Sequence, residues 1–301
     1  MFSNIDSYRL ALATLALCAL LWSTNVVVAK ILVEQVPPFT LALGRNFVAL
    51  VALLPLALRG WPERSVFREN TWTMFFAGLV GTGAFNALVY HALRETSAIN
   101  AVMMMSLCPT AIPLISFLLV RERFRSTQAL GIGLSLSGVA IIVTRGEPLS
   151  FLSRELASGD ALMFFAMLCW SFYTVLAKRR TSGLDPYVFF FCVVFVATLG
   201  LFPLAFWEWQ KQTYDISALA WLAVVYVGIV PTAIAIALFN RAVVIVGANT
   251  AGAFQHLVPV FGTIMAICFL GEHFSTFHAV GAAIIAAGLF AAAHQKGGSR
   301  S

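Results

Sequence analysis

Apolar runs of about 20 residues recur along this chain, separated only by short polar stretches. Twenty residues of helix match the thickness of a bilayer core. The runs fall near 10–33, 38–58, 72–93, 97–120, 127–144, 157–177, 186–207, 217–240, 246–269 and 275–294. Backbone amides in hydrocarbon must be bonded internally, which leaves helices or closed barrels. Runs this long without strict alternation predict helices. The breaks, among them EQVPP, RETS, RERFRS and GEHFS, leave no room for a soluble domain. Only 11% of residues are charged and 60% are hydrophobic, against about 25% charged in soluble domains. A soluble core could not hide that much apolar surface. The expected fold is therefore an all-α polytopic membrane protein of ten transmembrane helices.

The polar start MFSNIDSYR leads straight into the first run, with no cleavage site, so that run is expected to be the first span. The net charge is +6, but the basic residues flank spans, which points to membrane orientation and not to nucleic acid. With the N-terminus inside, thirteen Lys and Arg fall on the inside. Four fall outside: Arg94, Arg145, Arg154 and Lys211. Both termini are thus expected to be cytoplasmic. Five cysteines sit in apolar runs without metal or CxxC spacing and read as small hydrophobes. No N-x-S/T sequon is present, which favours a bacterial plasma membrane.

The stretch LLWSTNVVVAK at 20–30 returns as LCWSFYTVLAK at 168–178. A shift of 148 brings Trp22 onto Trp170, Ser23 onto Ser171, Lys30 onto Lys178 and Pro55 onto Pro203. After a two-residue slip, a shift of 150 brings Gly78 onto Gly228, Pro109 onto Pro259, Glu122 onto Glu272 and Gly138 onto Gly288. Trp, Lys, Pro and Glu matches at two shifts only two residues apart predict a duplication, residues 1–148 and 149–301. Each copy holds five spans, and an odd number inverts the second copy. Inverted repeats are a hallmark of secondary transporters, although channels use them too.

The chain resembles the ten-helix EamA-type members of the drug/metabolite transporter superfamily. The resemblance is carried by WSTNVVVAK, GRNFVAL and YHALRETSAINAVMMMSLCPTAIPLISFLLVRERF, and by FNRAVVIVGANTAGAFQHLVPVFGTIMAICFLGEHFS in the second copy. Tyr90-His91 makes it most similar to the aromatic amino acid exporters of that family; the second copy departs from this with Asn240-Arg241. The resemblance implies export of small metabolites from a central cavity, with spans five and ten at the periphery.

Polar groups at membrane depth are costly and usually face a cavity. In span one, Trp22, Asn25, Val26 and Ala29 share a face, mated by Trp170, Tyr173, Thr174 and Ala177. Asn25 either lines the cavity or cross-links helices. Lys30 and Lys178 either snorkel to headgroups or gate the two mouths. Arg45, with Asn46 beside it, either forks a substrate carboxylate or pairs with Glu34 or Glu95. Asn86, Tyr90 and Arg94 share a face of span three, with His91 alongside, where Tyr90 and His91 are placed to stack on a substrate. His91 and His256 each read either as path residues or as structural hydrogen-bonders. Span nine aligns Asn249, Gly252, Ala253 and His256 on one stripe, mated in span four by Ile99, Val102, Met103 and Ser106. Met103 suits a pliable cavity wall. Pro109 and Pro259 are hinge candidates. Gly131 and Gly138 match Gly281 and Gly288 and suit either close packing of spans five and ten or a homodimer face.

No Asp or Glu falls near the middle of a span, and no Walker A pattern is present. Facilitated export is expected, with no cofactor and no metal. The expected partners are membrane lipid and a small-molecule substrate, an amino acid or similar metabolite. The alternatives are a nucleotide-sugar or sugar-phosphate antiporter or a drug exporter on the same scaffold, or a channel. An enzyme is not expected: there is no HExxH and no histidine pair at i, i+4.

Overall fold

The computed structural model of the protein describes residues 2–121, 126–147, 158–178, 183–211, 214–246, 251 and 254–293. Among them every regular element is helical. The elements are α1 (Phe2–Leu32), α2 (Pro38–Arg59), α3 (Arg64–Glu95), α4 (Ala98–Met105), α5 (Cys108–Val120) and α6 (Ser126–Val143), then α7 (Ser158–Lys178), α8 (Pro186–Lys211), α9 (Ala218–Val246), α10 (Leu257–Leu270) and α11 (Thr276–Ala293). Six of these, α1, α2, α3, α7, α8 and α9, contain stretches long and apolar enough to cross a membrane. Ala129–Val143, Leu257–Leu270 and Thr276–Gly288 are shorter apolar helices.

The outside of the bundle is apolar. Val244 is 86%, Leu219 75% and Trp72 71% exposed. Water would not tolerate so extensive an apolar surface, and lipid is its natural solvent. The protein is a multi-pass membrane protein.

Two features depart from plain helical spans. The run at 97–120 is two helices, α4 and α5, separated by a turn at Ser106-Leu107. The run at 246–269 is likewise interrupted by a turn at Gln255-His256 before α10. Pro109 lies in the first turn of α5, where a missing N–H costs nothing. Pro259 sits in the first turn of α10. The second departure is in α3 and α9, whose middles, Ala77–Ala84 and Gly228–Ile234, are wound as π-helix. α3 also begins earlier than the apolar run, at Arg64, because Val66 and Phe67 pack on a small core around Met74, Leu184 and Phe189.

Glycines set the closest approaches. A Cβ on Gly78 would stand 2.7 Å from the backbone oxygen of Val193 in α8, and one on Gly228 would stand 2.8 Å from that of Arg45 in α2. Val193 and Arg45 are themselves 148 residues apart, so the same contact occurs twice. In α6 and α11, Gly138 meets the oxygen of Gly281 and Gly288 meets that of Gly131 (2.6 and 2.7 Å to the ideal Cβ). The glycine faces of these helices pack on each other.

One end of the bundle is tied by polar contacts. Lys30 Nζ donates to the carbonyls of Leu93 (2.6 Å) and Thr96 (2.9 Å) at the end of α3. Glu272 accepts from the N–H groups of Ala98 (2.7 Å) and Ile99 (2.9 Å), the orphan donors at the start of α4. Asp160 accepts from Thr96, and Asn100 bonds His278 at 2.9 Å. Beside them, Glu208 accepts from the N–H (2.8 Å) and the hydroxyl (2.8 Å) of Thr40 at the start of α2.

Candidate functional site

A cavity of about 110 Å³ opens in the middle of the bundle. A single water needs roughly 10–15 Å³ by the same measure, so the space suits a small solute. α1 contributes Trp22 and Asn25, α2 Arg45 and Asn46, α3 Thr82, Phe85 and Asn86, and α7 Met167 and Trp170. The interruption between α4 and α5 contributes Met105, Ser106 and Cys108. The one before α10 contributes Gln255, His256, Val258 and Pro259. Phe190 of α8 and Pro231, Thr232 and Ile236 of α9 complete the wall.

The shifts of 148 and 150 relate much of this wall to itself. Trp22 pairs with Trp170, Thr82 with Thr232, Met105 with Gln255, Ser106 with His256 and Cys108 with Val258. The helix interruptions and the π segments thus face the cavity in equivalent pairs. Irregular backbone at membrane depth is tolerated where it lines a cavity, and π segments are frequent at functional sites. Ser23 and Ser171 fasten the interruptions: Ser23 Oγ donates to Val258 O (3.0 Å) and Ser171 Oγ to Cys108 O (3.4 Å).

Arg45 breaks the symmetry. Its equivalent is Val193, which is buried in the packing between α8 and α3. Arg45 Nε donates to Thr232 Oγ1 (2.8 Å), and Nη1 donates to Asn86 Oδ1 (2.9 Å) and to the Tyr90 hydroxyl (3.1 Å). Asn86 Nδ2 then donates to Asn46 Oδ1 (3.1 Å). The direction of this chain is fixed by the guanidinium, which can only donate. Asn86 must turn its oxygen to Arg45 and its nitrogen to Asn46, and Asn46 must answer with its oxygen. The chain ends on Asn46 Nδ2, a buried donor with no acceptor. All three partners of Arg45 are neutral; the expected pairing with Glu34 or Glu95 does not occur.

The wall also carries aromatic rings, those of Trp22, Phe85, Trp170 and Phe190. Trp22 is held by its Nε1–H on the Pro231 carbonyl (3.0 Å) and lies 5.2 Å from the Phe239 ring. Trp170 sits between Phe85 (5.0 Å) and Tyr173 (5.1 Å).

Of the residues singled out from the sequence, Trp22, Asn25, Arg45, Asn46, Asn86, Trp170, His256 and Pro259 meet at the cavity. Tyr90 is wholly buried behind Arg45 and holds it. His91 is bonded through Nδ1 to Ala87 O (2.8 Å) and packs 4.6 Å from Phe39, away from the wall. Met103 is buried behind the wall, and Met105 takes the lining position. Tyr173 supports Trp170 from behind. Lys30 is engaged with the end of α3. Asn249 and the side chains of Pro109 and Lys178 lie outside the described residues. Thr82 and Thr232 are wall residues whose signal was their recurrence at a shift of 150; Ser106, the mate of His256, also lines the wall, and Gln255 lines it with no such signal. Among the described residues, no three His, Cys, Asp or Glu come together as metal ligands would.

The EamA-like transporter family model matches this sequence twice, over residues 9–144 and 157–293. The chain belongs to the EamA-like transporter family. It is a transporter, and its relatives carry transporter names. The uncharacterized transporter YetK of Bacillus subtilis (strain 168) is 27% identical over 93% of this chain and 86% of its own length. The uncharacterized transporter YyaM of the same organism is 24% identical over 88% and 87%. The aromatic amino acid exporter YddG of Ancylobacter novellus is 27% identical over 82% and 84%. A protein crystal structure superposes with a TM-score of 0.63 at 25% identity, over 96% of this chain and 97% of that one.

Proposed function

We propose that this EamA-like protein exports a small metabolite, an amino acid or similar amphipathic compound, by alternating access through the central cavity. Two five-helix repeats, 1–148 and 149–301, face opposite ways and form ten spans with both termini in the cytoplasm of a bacterium. The observation that carries the reading is the paired wall: equivalent residues from both halves meet at equivalent helix interruptions. A rocking motion of one half against the other then yields two related open states. The polar ties around Lys30, Glu272 and Asp160 close one mouth.

An aromatic or amphipathic solute fits a wall of Trp22, Phe85, Trp170 and Phe190 with one polar corner. Arg45 is the single Lys or Arg of that wall among the described residues, which is thin provision for a nucleotide sugar. Export is facilitated, in keeping with a wall on which no Asp or Glu stands among the described residues. Membrane lipid is the surrounding partner. A homodimer would have to form on surfaces other than the glycine faces of α6 and α11, which cover each other.

Purified protein in liposomes tests the proposal with a panel of neutral, aromatic and cationic amino acids, with and without a pH gradient. Saturable flux with counterflow of at least one compound is expected. Open-pore conductance, or no flux of any compound above empty vesicles, would refute it.

A further inference from the structure

Several hydrogen-bond donors of the cavity are unbonded, and no acidic side chain among the described residues lines it to receive them. Arg45 has five N–H groups. Three are bonded, two from Nη1 and one from Nε, and the two on Nη2 have no acceptor among the described residues. Asn46 Nδ2 is buried without an acceptor, for the directional reason given above. Thr82, 6% exposed, leaves its hydroxyl unbonded on the same wall, whereas its mate Thr232 is bonded to Val227 O (2.8 Å). Asn25 Oδ1 also lacks a partner, but nothing fixes the orientation of that amide, so it counts on neither side.

Against these donors stands no acid. No Asp or Glu lines the cavity among the described residues, and the neighbouring stretch 247–253, GANTAGA, contains none. A half-buried guanidinium bonded only to neutral groups has no charge partner there. The group that completes such a site is a planar oxyanion, and a carboxylate meets a guanidinium edge with two parallel bonds. An ammonium group in the same space would find neutral acceptors and a like charge.

We infer that the cavity selects a monocarboxylate with an aromatic body, its carboxylate on Arg45 and Asn46, and that an α-ammonium group adds nothing to its binding. The inference rests on the transport reading and narrows it: the essential handle is the carboxylate. Trp22, Phe85 and Trp170 offer the faces for the ring. Tyr90, Asn86 and Thr232 are positioning residues that fix the guanidinium.

The test uses the full chain in lipid nanodiscs and equilibrium dialysis with three labelled probes: 3-phenylpropionate, L-phenylalanine and phenethylamine. The expected order of retention is 3-phenylpropionate at least equal to L-phenylalanine, with phenethylamine not retained. Arg45→Gln should weaken 3-phenylpropionate by about 10- to 100-fold, the loss of a charge-assisted pair, while Arg45→Lys keeps the charge but loses the fork and falls between. Equal retention of phenethylamine, L-phenylalanine held more tightly than 3-phenylpropionate, or an Arg45→Gln protein that binds as the parent does would overturn the inference. Should Arg45→Gln fail to fold, the order of the three probes on the parent protein decides alone. Retention of none of them also overturns it. The transport reading then still stands or falls by the liposome flux panel.

Discussion

Ser23 of α1 donates its hydroxyl to the carbonyl of Val258, 3.0 Å away and 235 residues further along the chain. Ser171 of α7 makes the corresponding bond to Cys108. Each serine also reaches its own i−4 carbonyl, Ala19 and Met167 respectively, both at 2.8 Å, so one proton is shared across a helix contact. These bonds pin the two helix interruptions beside the cavity. Alanine at Ser23 or Ser171 should lower stability by about 1 kcal/mol each. The double variant should lose about the sum. Unfolding midpoints of the detergent-purified protein check this, and a neutral double variant would remove the pinning role.

Gly138 and Gly281 let α6 and α11 touch backbone to backbone. Alanine at Gly138 would place its Cβ 2.6 Å from the oxygen of Gly281. Such overpacking costs about 1–3 kcal/mol, even though alanine is the better helix former. Gly133 on the same helix has nothing within 4 Å of its Cβ position. Gly133→Ala should therefore be neutral or stabilising by up to about 1 kcal/mol. Opposite signs for these two substitutions in one thermal-unfolding series are the expected result.

Glu272 receives the first two amides of α4 from the far half of the chain. Glu272→Gln keeps the shape but removes the charge, and charge-assisted bonds are about twice as strong as neutral ones. Hydrogen exchange at Ala98 and Ile99 should quicken by about tenfold, with α7 and α8 unchanged. Uniform loss of protection across the bundle would show that Glu272 supports the whole fold and not this end of it.

Tyr90 holds Arg45 from behind. Tyr90→Phe keeps the ring in its buried site and deletes the hydroxyl. Stability should fall by about 1 kcal/mol, and affinity for a carboxylate probe by about threefold to tenfold, through loss of guanidinium positioning. Unchanged affinity would mean that Asn86 and Thr232 suffice.

Much of this was legible in the residues. Apolar run length placed the long helices, and the glycine matches between the fifth and tenth runs marked the backbone contact between α6 and α11. Trp22, Asn25 and Arg45 came to the wall because α1 and α2 are continuous helices, on which face arithmetic holds. It failed where the period changes. In the fourth run Met105, the last residue of α4 before the turn at Ser106-Leu107, takes the lining position, and Met103 two residues earlier is buried behind it. The π turns at Ala77–Ala84 and Gly228–Ile234 carry Thr82 and Thr232 to the wall, and no composition signal announces a π turn. Tyr90 and His91 lie towards the end where Lys30 ties α1 to α3, so packing there took the space that a path would need.

Thiol accessibility at the paired wall positions Met105 and Gln255 tests the central claim most directly. Each is replaced singly by cysteine in a cysteine-free protein and probed with an impermeant reagent in right-side-out and in inverted vesicles. Two inverted repeats around one alternately opening chamber predict that both positions react from both sides, and that a transported solute changes the two rates in opposite directions. Reaction from one side only, or protection of both positions by lipid alone, would contradict it.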